Sequence, residues 1–113
     1  MRRLEEVLGI SEMVIRDALQ EQGVDRRVAT LLQDRVRLAM SELEVLCLHP
    51  LLFSDEPTFS AVHQFKGRLA FFHDLLQSDR KAASLLLRQG LAEEAKRLVG
   101  TLEQKNRTLL SSS

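Results

Sequence analysis

The sequence predicts an all-α fold: an antiparallel helical hairpin core with flanking N- and C-terminal helices, together a small helical bundle. Three observations predict it. Leu32, Val36, Ala39, Leu43 and Leu46 fall at alternating steps of four and three, and Val62, Phe65, Leu69, Phe72 and Leu76 do the same. That alternation is the seam of one helix lying lengthwise on another. His49 to Pro57, between the two runs, contains both prolines of the chain and is short enough to fold the second helix back on the first. With no Trp, no Tyr and 28% charged residues, there is little from which to build strands.

At 113 residues the chain is expected to be one domain, with a core that is adequate but not generous. The expected layout is a kinked N-terminal helix at 1–23, the hairpin at 25–77 and a C-terminal helix at 79–110. In the first segment Leu4, Val7 and Leu8 precede Gly9, and Val14, Ile15, Ala18 and Leu19 follow it. Ser11 is suited to cap a helix start, because its hydroxyl can accept from a backbone amide one turn on. Gly23 is suited to stop one.

Asp25 is expected to cap the long helix of the hairpin. That helix carries a second apolar stripe, Leu31, Leu38 and Val45, one step off the first. A seam two positions wide belongs to a bundle and needs cover from beyond the hairpin partner. Pro50 ends this helix, since proline disfavours helical geometry in the residue before it. Leu51, Leu52 and Phe53 are more apolar than a solvated connection requires. Ser54 or Asp55 begins the second helix, with Pro57 tolerated in its first turn. Gly67 lies mid-helix, where close approach of a neighbouring backbone would explain it. Asp79 caps the last segment, and Leu91, Ala95, Leu98, Leu102 and Leu109 again step by four and three.

Net charge is zero, so no global field draws the chain to nucleic acid or anionic lipid. The distribution is uneven: residues 40–79 carry six acids and two bases, residues 80–113 three acids and seven bases. The last helix therefore folds onto the acidic hairpin, simply keeps a solvated face, or meets an acidic partner. Cys47 is the single cysteine, so no internal disulfide can form. No apolar run approaches the length of a membrane span, and residues 1–6 have no apolar run after their arginines, so no signal peptide is expected. A bacterial or host cytoplasm is the expected location.

Sites of chemistry are not in evidence. Cys47, His49, His63 and His73 occur in no metal-ligand spacing. Cys47 and His49, two apart, point to different sides of a helix, which is poor geometry for a Cys–His nucleophile. The glycines form no phosphate-cradling loop. No enzyme activity, cofactor or metal is expected.

Residues 4–19 resemble a helix-turn-helix, with Gly9 as the turn, Ile10 and Ile15 as core contacts and Ser11 as the cap of the recognition helix. DNA binding through Ser11 and Arg16 is the alternative this carries. It is disfavoured by Glu5 at the helix crossing, and by Glu12 and Asp17 beside the single Arg16, which repel phosphate.

Four claims on burial exceed what a small domain readily satisfies: the Leu31–Leu38–Val45 stripe, the Leu51–Phe53 loop, Phe71, and the seam from Leu91 to Leu109. The last of these is expected to project and bind protein. Its anchors are Leu91, Leu98, Leu102 and Leu109, with Arg88, Lys96 and Arg97 set against acidic surface. The partner is another copy of the chain, giving a homo-oligomer or larger assembly, or a different protein.

The run Phe65 to Leu76, entered from a long helix through a short polar turn, resembles a helical hairpin of small proteins of tailed bacteriophages. Those proteins lie among virion-structure and packaging genes. The resemblance covers about half the chain, from Leu32 to Gln77, and implies a small assembly or accessory protein of a phage particle, incorporated in a virion. The helix-turn-helix-like start followed by a hairpin is also similar to small terminase subunits, which bind packaging DNA as rings. The function expected is thus a non-enzymatic assembly or adaptor protein. A DNA-binding packaging subunit is one alternative, and a small inhibitor docking on a host enzyme another.

Overall fold

The computed structural model describes residues 3–19, 26–50 and 54–111. Gly23, Asp25 and the Leu51–Phe53 loop lie outside the described residues. The described chain is all helix: α1 (Leu4–Ala18), α2 (Arg26–Cys47), α3 (Glu56–Ser78), α4 (Arg80–Leu86), a widened turn at Leu87–Leu91, and α5 (Ala92–Ser111). The molecule measures 45 × 25 × 19 Å. Helices of 22 and 23 residues, each roughly 33 Å long at 1.5 Å per residue, can fit that envelope only side by side.

The hairpin seam forms as its spacing dictates. Val36, Ala39, Leu43 and Leu46 of α2 and Val62, Phe65, Leu69 and Phe72 of α3 are all sealed from solvent. The other two helices complete a ring, in which α1 packs on α2 and on α5, and α5 packs on α3. Arg16 lies 3.5 Å from Glu103 and Gly9 faces Asn106, so α1 and α5 are antiparallel. Arg68 meets Glu94 at 2.8 Å and Lys105 meets Asp55, so α3 and α5 are antiparallel as well. Both neighbours of α5 thus run against it, as in an up-down bundle.

α1 differs from the expectation. It runs through Gly9 without a break, and Ser11 sits in mid-helix, fully buried, instead of capping anything. The cause is the stripe Leu4, Val7, Leu8, Ser11, Val14, Ile15, Ala18, which stays on one face straight through the glycine. A mid-helix Gly costs about 1 kcal/mol, while sealing Leu8 and Ile15 gains roughly 2 kcal/mol each.

The last segment also differs. It bends at Gly90 (φ 177°, ψ −22°) within the widened turn, so it is not one straight rod. Asp79 does cap its start, its Oδ1 accepting from the Ala82 amide at 3.2 Å. Beyond the bend α5 does not project. It lies between α1 and α3. Gly67 is exposed with open space where a Cβ would stand, so no close backbone approach accounts for it.

Candidate interaction surface

Each helix of the ring spends one face on the core, and α2 has a further apolar face with nothing over it among the described residues. Leu31, Leu38, Val45 and Leu48 are 50, 53, 40 and 69% exposed. The first three recur every seventh residue and so form one line along the helix. From Leu31 to Val45 that line is about 21 Å long at 1.5 Å per residue. α2 offers Leu32, Val36, Ala39, Leu43 and Leu46 to the core, and the stripe lies one residue back from that seam, roughly 100° around the helix.

The charges flanking the line are segregated. Residues 26–37 hold four arginines and one aspartate; residues 38–48 hold two glutamates and no base. The first turn of α2 has no acid and the last turn no base, the reverse of what the helix macrodipole favours. Arg37 comes only within 3.9 Å of Asp34, both well exposed. Arg35 donates to the Asp17 carbonyl oxygen at 3.3 Å, so the end of α1 borders the stripe.

The seam expected to bind a partner is instead core. Leu91, Leu98 and Leu102 are 0, 4 and 0% exposed, and Leu109 packs against the core from its edge. The four-and-three alternation there serves the contacts of α5 with α1 and α3, so these leucines are not free to anchor another molecule. Arg88, Lys96 and Arg97 are exposed but scattered. Arg88 lies with Arg80, Lys81 and Leu85 around a shallow hollow. Lys96 edges a groove of about 520 Å³ between α1 and α5, walled by Ile15, Leu19, Ala95 and Val99. Arg97 faces α3 beside Gln64 and Thr101. The structure therefore does not gather the predicted leucines and cations into one site.

The helix-turn-helix geometry is not made either, since a single helix spans both of its expected helices. Ser11 presents no free helix start, its hydroxyl being buried without a hydrogen-bond partner among the described residues. Arg16 is engaged by Glu12 at 3.0 Å and Glu103 at 3.5 Å.

Among the described residues, no group of three or more His, Cys, Asp or Glu side chains is placed to hold a metal. Cys47 is a buried free thiol, and burial pushes its pKa up, away from the nucleophilic thiolate. Among the described residues, no helix is long and apolar enough to cross a membrane. Phe71, 56% exposed, forms a second apolar spot, a shallow cleft with Gly67 and Leu86. Leu48 breaks the seven-residue repeat, and it lies three residues beyond Val45, just past the end of α2 and on a neighbouring face.

Fold and surface together define a class: a small all-α bundle bearing a linear apolar stripe on the outer face of one helix. Comparison with known proteins finds no matching family model, no matching curated protein and no matching solved structure.

Proposed function

We propose that the chain is a non-enzymatic assembly or adaptor protein that docks through the outer face of α2. The observation that carries this reading is that Leu31, Leu38, Val45 and Leu48 stay exposed although the ring of helices is closed. Apolar side chains exposed at regular spacing along one helix face, with charge between and beside them, mark an interaction site more often than scattered exposed residues do. The resemblance of residues 65–76 to hairpin proteins of tailed phages supplies a setting, the assembly of a phage particle. The zero net charge fits a protein partner better than nucleic acid.

A benzophenone amino acid placed at Leu38 tests the reading in cells producing the chain, with Ser60 on the exposed face of α3 as the control position. Ultraviolet irradiation is expected to give a discrete adduct of higher mass from position 38 and none from position 60. Absence of any adduct at 38, or the same smear at both, overturns it.

A further inference from the structure

We infer that the stripe on α2 is covered by the same stripe of a second copy of this chain, running antiparallel about a two-fold axis at Leu38. The inference rests on the docking reading above and names its occupant.

The apolar positions are self-complementary. Leu31 and Val45 stand seven residues to either side of Leu38. A two-fold at Leu38 therefore sets Leu31 against Val45 of the second copy, Val45 against its Leu31, and Leu38 against itself. This is the condition for an isologous contact, in which one patch serves both sides.

The charges choose the direction. A parallel pair would lay the arginine-rich half of α2, with exposed Arg27, Arg35 and Arg37, along the same half of its mate. The glutamates Glu42 and Glu44 would likewise face each other's half. Turning one copy over brings Arg35 and Arg37 across from the half holding Glu42 and Glu44, twice by symmetry, so that the flanks attract. It also relieves each helix of a charge order that opposes its own dipole, since the end of the mate that arrives carries the opposite partial charge. With a net charge of zero, two copies approach without mutual repulsion.

Two experiments read the inference, one for association and one for direction. By sedimentation velocity the chain is expected to move from 12.9 kDa to twice that mass as concentration rises. Leu38→Glu should raise the dissociation constant at least tenfold while the circular-dichroism melt stays within a few degrees. For direction, cysteines are introduced in a Cys47→Ala background and oxidised mildly. Helix axes roughly 8–10 Å apart bring facing Cα atoms within disulfide reach. Leu38→Cys should cross-link to itself. Leu31→Cys and Val45→Cys should cross-link only when the two variants are mixed.

Self-linking by Leu31→Cys alone and by Val45→Cys alone means a parallel pair and overturns the inference. A chain that stays at 12.9 kDa at every concentration also overturns it. If that monomer still yields an adduct from position 38 to a different protein, the docking reading stands and the second copy falls. If neither occurs, both fall.

Discussion

Lys105 near the end of α5 holds Asp55, the residue that starts α3, through a contact of 2.5 Å between Nζ and Oδ2. The two are 50 residues apart in sequence. The pair is about three-quarters buried on both sides, and Thr58 donates to the same carboxylate oxygen at 3.0 Å. It fastens the hairpin connection to the last helix.

The first prediction concerns acid. The Lys105 hydrogen bond holds the Asp55 carboxyl below its ordinary value of 3.8, with partial burial working against it and Thr58 adding to it. A carboxylate with a lowered folded pKa contributes stability above the unfolded value, and loses it as pH falls from there through the folded value. Asp55→Asn should therefore cost about 1 kcal/mol at pH 7. The gap to the parent should close as pH falls below about 4. Urea melts of both proteins at pH 7 and pH 3 measure this; a gap that stays constant contradicts it.

The second separates core from surface. Leu98→Ala and Leu102→Ala should each cost about 2–5 kcal/mol, because both side chains are sealed in the bundle and leave cavities. Leu31→Ala and Leu38→Ala should stay within about 0.5 kcal/mol at dilutions where the chain is monomeric. Guanidinium unfolding of the four variants at equal, low concentration decides it.

A third follows from open space. Gly67 and Gly100 lie inside helices, and a Cβ at either would meet nothing within 4 Å. Gly67→Ala and Gly100→Ala should each stabilise by about 0.5–1 kcal/mol, through the lower entropy of the unfolded chain and better helix propensity. A rise in thermal midpoint of several degrees for the double variant is the expected reading.

Ser11 supplies the fourth. Its hydroxyl is buried in the middle of α1 without a partner among the described residues, and such a group costs stability that its removal returns. Ser11→Ala should leave the melt unchanged or raise it slightly. Had Ser11 capped a helix, the same change would cost about 1 kcal/mol. A clear loss on thermal denaturation would argue for a capped second helix after all.

The hairpin was legible because Leu32 to Leu46 and Val62 to Leu76 each keep to one buried face, which periodicity reports well whatever covers it. The continuity of α1 was not, since Gly9 and Ser11 are break signals locally and are overridden by packing contributed from α2 and α5. The surface was half legible. The same alternation marks Leu91 to Leu102 as a seam whether the seam faces its own chain or another. Which one it faces depends on how many helices close around it. α5 has a neighbour on either side, α1 and α3, whereas the Leu31–Leu38–Val45 stripe of α2 has none among the described residues.

Because α1 and α5 lie side by side in opposite senses, Leu4 and Ser111 emerge from the same pole of the barrel of helices. The described path from Leu4 to Ser111 thus leaves and returns at one pole. A short Gly-Ser bridge across that pole, with new ends cut elsewhere on the surface, should give a re-ordered chain with the same interior.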